Sequence, residues 1–206
     1  MSRAVIILAG GLSRRFGQDK CMKELWGKPL IAHVLDRVVR LGNEWIVVVG
    51  SETQRHQLPD AVRQRARVVA DNYSDHSPLV GALTGFESAE SELALLLPCD
   101  AALVNTEIAS LLLDLCIDRN AAVPRWPDGK IEPLQAAYNV RSAASAAEAA
   151  LKEGKRDMLG MISHLRRIRY VSTLVLQQYD PRLITFLNIN TVQDWKKAEH
   201  ALKRTK

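Results

Sequence analysis

Arg14, Arg15 and Lys20 gather positive charge just beyond a glycine pair, Gly10-Gly11, in the segment LAGGLSRRFGQDKCMKELWGKPL that runs from Leu8 to Leu30. Paired glycines let a backbone come close to a ligand, so that successive N–H groups converge on one anion. Arg adds a planar fork for phosphate oxygens and Lys a compact, movable cation. The combination suits a phosphate cradle. Two familiar phosphate loops are excluded: Gly27-Lys28 and Gly129-Lys130 are followed by Pro29 and Ile131 instead of Ser or Thr, and Gly10, Gly11 and Gly17 lack the G-x-G-x-x-G spacing. On these residues alone, a strand-to-helix loop with solvated charges remains the alternative.

Carboxylates and amides supply the other candidate chemistry. The apolar run Leu95-Leu96-Leu97 leads through Pro98-Cys99 to Asp100. An acid at such a strand tip suits Mg²⁺, which takes one or two carboxylates together with substrate phosphates. Capping the next helix is an equal alternative from spacing alone. Asp71 and Asp75 read as solvated loop carboxylates by themselves. Asn188 and Asn190 flank Ile189, so in an extended chain both amides point the same way, although Asn190 or Thr191 also suits the N-cap of a last helix. Cys99 has no evident His partner and reads as a small buried residue.

The elements that must position these groups follow from apolar periodicity. Val5 to Leu8, Trp45 to Val49, Val68 to Ala70 and Leu93 to Leu97 read as buried strands. Leu30, Val34, Leu35, Val38 and Leu41 share one face of a helix from Pro29 to Leu41, with Pro29 in its first turn. Val104 to Ile117 predicts a helix capped by Asn105 or Thr106, and Ala143 to Leu151 another. Ala121 to Val123, Leu134 to Asn139 and Ile168 to Val171 read as later strands, with an antiparallel edge among them. A final helix starts near Val192, with Trp195, Ala198 and Leu202 on its apolar side. The alternation predicts an α/β fold: a mostly parallel central sheet with helices on both faces, in which ligands collect at the carboxyl ends of the strands.

Composition narrows the class. A chain of 206 residues, 47% of them hydrophobic, supports one sizeable core, and a single domain over 1–206 is expected. Three widely spaced cysteines, Cys21, Cys99 and Cys116, give neither a disulfide framework nor a CxxC zinc site. The opening apolar run is too short to span a bilayer and lacks a signal-cleavage pattern, so a cytoplasmic protein without membrane contact is expected. The net charge of +5 raises nucleic acid as a partner, but only 5% of residues are aromatic and no stacking module is visible. Small, heavily phosphorylated substrates fit that charge better.

The segment from Leu8 to Leu30 resembles the signature of nucleotidyltransferases of the molybdenum cofactor guanylyltransferase type. The corresponding residues are Leu8 to Gly11, Arg15-Phe16-Gly17, Asp19-Lys20 and Gly27 to Leu30, with Phe16 where Met is usual. Three further stretches agree: Asp71 with Pro78-Leu79 and Gly81, where Ser77 replaces the usual Gly; Cys99-Asp100; and Asn188-Ile189-Asn190-Thr191, where Val192 replaces a proline. The resemblance implies a three-layer Rossmann-like nucleotidyltransferase fold, with 1–100 mainly binding nucleotide and 101–206 mainly the acceptor. It implies transfer of GMP from GTP to molybdopterin with release of pyrophosphate. It further implies GTP contacts from Leu8, Ala9, Gly10, Gly11, Lys20, Asp71 and Asp100, with Arg15, Lys20 and Asp100 catalytic and Asp100 holding Mg²⁺. Asn188 and Asn190 would face the acceptor, as would the Glu132 to Tyr138 segment; Arg156 and Arg166-Arg167 are weaker candidates for its phosphate. Partner proteins of molybdenum cofactor biosynthesis and acceptor proteins follow by the same resemblance. Relatives that use CTP tend to carry Ala-Ala-Gly where this chain has Ala9-Gly10-Gly11, which favours guanine. The alternatives are a guanylyltransferase acting on a cobalamin precursor, a cytidylyltransferase, or a regulatory nucleotide-binding module without turnover.

Overall fold

The computed structural model describes residues 1–10, 20–71, 77–189 and 191–203. In chain order its elements are β1 (Arg3–Leu8), β2 (Glu24–Leu25), β3 (Lys28–Pro29), α1 (Leu30–Val38), β4 (Glu44–Val49), α2 (Glu52–Gln57), α3 (Asp60–Arg63), β5 (Arg67–Ala70), α4 (Pro78–Ser88) and β6 (Leu93–Pro98). There follow α5 (Thr106–Leu115), β7 (Ala121–Arg125), β8 (Ala136–Asn139), α6 (Val140–Lys152), α7 (Met158–His164), β9 (Ile168–Ser172), α8 (Thr173–Leu176) and α9 (Val192–Lys203).

Period-two alternation along the strands builds two apolar layers. Val5 and Ile7 of β1 join Val47, Leu95 and Leu97 against α1 and α5, while Ala4 and Ile6 join Ile46, Val48 and Leu96 against α4, α6 and α7. Both faces are therefore covered, which explains why the strands read as continuous apolar runs. The sheet order is β5-β4-β1-β6-β8-β7-β9, parallel from β5 to β6. The fold is α/β with a mostly parallel central sheet between helical layers.

Three details depart from expectation. Pro29 pairs in the β2–β3 hairpin and stands as the N-cap of α1 instead of inside its first turn, because its ψ of 144° is extended. The strand predicted from Leu134 begins at Ala136, since Glu132 to Gln135 close a turn through the Gln135 N–H to the Glu132 carbonyl at 3.1 Å. The antiparallel strand is not an edge. β8 inserts between β6 and β7, pairing antiparallel with both, and β9 forms the edge, parallel to β7. Burial explains the placement: Ala136, Ala137 and Tyr138 are wholly buried, whereas Tyr170 on β9 is 44% exposed.

Candidate functional site

Strand ends bring the sequence-distant residues together. The ladder of β1 continues past its last residue on both sides, with the Ala9 N–H on the Val48 carbonyl at 2.7 Å and the Cys99 N–H on the Leu8 carbonyl at 3.0 Å. The Asp71 N–H likewise reaches the Val49 carbonyl at 2.7 Å. Ala9, Asp71 and Asp100 thus stand at the carboxyl ends of β1, β5 and β6, three of the four neighbouring parallel strands β5-β4-β1-β6, where open sheets bind ligands. A cavity of about 440 Å³ lies there, lined by Leu8, Gly10, Lys20, Asp71, Gly81, Cys99 and Asp100, with Pro78 and Leu134 on its walls.

Asp100 does not cap the following helix. Asn105 does so, its Oδ1 accepting the N–H groups of Glu107 and Ile108 at 2.9 and 3.0 Å. The Asp100 side chain instead forms an ion pair with Lys20 through Oδ2. Both groups are largely shielded, at 17% exposure for the Lys20 side chain and 11% for that of Asp100. The other oxygen, Oδ1, is buried with no hydrogen-bond partner. A buried carboxylate oxygen left unpaired is costly, and such an atom calls for an explanation. A hard divalent cation provides one, since Mg²⁺ takes carboxylate oxygen and completes its shell with water and phosphate. Among the described residues no group of three or more His, Cys, Asp or Glu side chains converges as a ready-made metal cage.

The wall of α4 explains one substitution in the recognised pattern and one residue that matches it. Ser77 caps the helix, accepting the Val80 N–H at 3.3 Å ahead of Pro78 in the first turn. Gly81 faces the cavity, and among the described residues a Cβ there would meet Leu8 and Val48, at 3.6 and 4.0 Å. Close packing on the sheet is the task of Gly85, where a Cβ would lie 2.5 Å from Ile6 Cγ2. Gly10 also has a packing reason: a Cβ on it would lie 2.9 Å from the Gly50 backbone nitrogen. The glycine read as a guanine signal thus also has a packing role, where this backbone runs against Gly50.

Beyond β6, the Tyr138 hydroxyl donates to the Pro133 carbonyl at 2.6 Å and so anchors the turn that sets Leu134 in the cavity wall. Gln135, 3% exposed, reaches Asn188 Oδ1 from its Nε2 at 3.4 Å. Glu132 accepts from the Trp126 indole at 2.7 Å. Thr191 and Asp194 form a reciprocal capping box at the start of α9, with hydrogen bonds of 2.8 to 3.1 Å. Arg156 donates to the carbonyls of Leu151 and Lys155 at a helix end. Arg167 is removed from the cleft: it binds the Asp118 carbonyl at 2.7 Å beside the starts of β7 and β9, at the other end of the sheet. Arg15, Gly11 and Asn190 lie outside the described residues, as do Arg14, Asp75 and His76.

Residues 5–168 match the family described as the MobA-like NTP transferase domain. The chain belongs to that family. It is 32% identical over 200 residues to a probable molybdenum cofactor guanylyltransferase of Methanosarcina mazei, covering 93% of this chain and 88% of that protein. A Bacillus cereus protein of the same description is 31% identical over 207 residues, covering 98% of each chain. Among solved structures, the molybdopterin-guanine dinucleotide biosynthesis protein A of Archaeoglobus fulgidus superposes with a TM-score of 0.83 at 27% identity, covering 98% of this chain and 99% of that one. As a MobA-like nucleotidyltransferase the chain is an enzyme of nucleotidyl transfer, and no described helix is long and apolar enough to cross a membrane.

The sequence reading missed Gly50 and Gln54, which support the Ala9-Gly10 backbone from behind. A glycine closing an apolar strand was the one available signal, and it does not reveal which backbone it approaches.

Proposed function

We propose that this enzyme transfers GMP from GTP to molybdopterin, releasing pyrophosphate and forming the guanine dinucleotide of the cofactor. The observation that carries the reading is the shielded Lys20–Asp100 pair with its spare carboxylate oxygen, lining one cavity with Gly10, Asp71 and Gly81. The names of the relatives support guanine and molybdopterin. Residues 1–100 form the nucleotide side and 101–206 the acceptor side of one domain, and the reaction runs in the cytoplasm.

In this reading Leu8, Ala9, Gly10 and Gly11 hold the nucleotide by backbone, with Asp71 as a further contact. Lys20 and Arg15 neutralise charge on the phosphates as it builds in the transition state, which is where preorganised cations contribute most. Asp100 presents its oxygen to Mg²⁺, which when bound neutralises phosphate charge. An acceptor phosphate oriented from the Asn188 and Asn190 side forms the new bond to the α-phosphorus in line with the departing pyrophosphate. No side chain needs to remove a proton, because the attacking phosphate is already ionised at neutral pH. The chain's contribution is position and charge. Partner proteins of cofactor synthesis would supply and receive the unstable acceptor.

The test is a panel of nucleoside triphosphates with Mg²⁺, scored for pyrophosphate release with and without molybdopterin. Release confined to GTP and dependent on molybdopterin is the expected result. Preference for CTP, or release with another acceptor only, overturns it.

A further inference from the structure

Gln54 lies on α2, outside the cavity wall, yet its amide joins the two strand ends on which the wall depends. Its Nε2 donates to the Ala9 carbonyl and its Oε1 accepts the Gly50 N–H, each at 2.7 Å. One amide orientation alone satisfies both contacts, because a carbonyl only accepts and a backbone N–H only donates. The two backbones so joined already touch, since a Cβ on Gly50 would lie 3.0 Å from the Gly10 carbonyl oxygen.

This bridge fixes the rotation of one peptide plane. The Ala9 N–H and the Leu8 carbonyl are taken up by β4 and β6, on opposite sides of β1. Gln54 then draws the Ala9 carbonyl toward the β4 side. In a trans peptide the carbonyl and the following N–H point in opposite directions, so the Gly10 N–H is turned toward the β6 side, where Cys99 and Asp100 line the same cavity as Gly10. We propose that Gln54 is a positioning residue for the nucleotide: it holds the Ala9-Gly10 peptide so that its N–H is presented to the bound triphosphate. The inference rests on the reading that this cavity takes GTP. A peptide held in the bound orientation beforehand lowers the ordering cost of binding.

The experiment measures GTP affinity by calorimetry, with thermal melting as a fold control, for the unaltered protein, Gln54→Ala, Gln54→Glu and Lys20→Ala. Gln54→Glu keeps the acceptor for Gly50 but sets a carboxylate oxygen against the Ala9 carbonyl at about pH 8; protonation as the pH falls toward about 4.3, the ordinary glutamate value, restores a donor. Both Gln54 variants are expected to weaken GTP binding about tenfold at the higher pH, the size of one lost hydrogen bond, and to raise KM for GTP with little change in kcat. Relative to the unaltered protein at each pH, Gln54→Glu recovers on acidification and Gln54→Ala does not, and these changes in affinity come without a matching change in melting temperature, a combination that a merely structural role would not produce. Undiminished GTP binding in both Gln54 variants, or no recovery of Gln54→Glu, overturns the role of Gln54 if Lys20→Ala still loses affinity. Undiminished binding in Lys20→Ala overturns the reading of the cavity, and this inference with it.

Discussion

Two shielded carboxylates, Glu44 and Asp100, stand at opposite ends of the same sheet and are treated in opposite ways. Glu44, at the start of β4, has both oxygens occupied: Arg67 donates at 2.8 Å, the Glu90 and Ser91 N–H groups at 3.1 to 3.2 Å, and the Ser91 hydroxyl at 2.9 Å. Burial pushes its carboxyl up, but the hydrogen bonds from Arg67, Ser91 and the backbone outweigh that and hold it below the ordinary glutamate value. Asp100 has one oxygen on Lys20 and one with no partner. A saturated carboxylate ties elements together, whereas one left half-paired at a cavity is suited to bind what arrives there.

The comparison breaks most readily at Asp100 and Lys20. Asp100→Ala and Lys20→Ala should each reduce pyrophosphate release by at least about a hundredfold, as loss of a preorganised charge in a shielded site does, with the fold retained. Near-normal turnover in either variant removes the role given to that residue. At the other end, Glu44→Gln should cost about 2 kcal/mol of stability in denaturant titration while leaving kcat unchanged in the folded protein. Its pH dependence has a definite sign. A carboxyl held below its ordinary value of 4.5 contributes stability that is present above that pH and is lost as pH falls through the folded value. The unaltered protein should therefore lose more stability on acidification than Glu44→Gln, and equal slopes would remove Glu44 from the account.

The two glycines of α4 carry the same contrast. Gly85→Ala places a methyl 2.5 Å from Ile6 and should destabilise by about 1–3 kcal/mol, the usual cost of overpacking a core. Gly81→Ala has room on the sheet and gains helix propensity, so its stability should hold or rise slightly while KM for GTP increases. Melting curves and steady-state kinetics on the pair separate packing from ligand contact. The smallest effect belongs to Asn105→Ala, about 1 kcal/mol for a lost N-cap, with catalysis unaffected.

Much of this was legible in the residues. The apolar runs of β1, β4 and β6 give strands buried on both faces, and the acid closing Leu95-Leu96-Leu97 marks a carboxyl end where ligands gather. What stayed hidden depends on contacts between distant segments. The position of β8 between β6 and β7 follows from a turn at Glu132 and from small buried residues that do not declare a neighbour. Spacing could not decide whether Asp100 caps a helix, because the answer lies in Asn105 taking that place. Nor does any local pattern reveal that Gly10 and Gly50 touch, since their closeness is a product of parallel pairing between β1 and β4.

The most direct test is a crystal structure with GTP and Mn²⁺, the cation being located by its anomalous scattering. GTP is expected against Gly10 with its phosphates beside Lys20, and the cation on Asp100 Oδ1. Nucleotide bound elsewhere, with Lys20 still paired to Asp100 and no cation on that carboxylate, would contradict it.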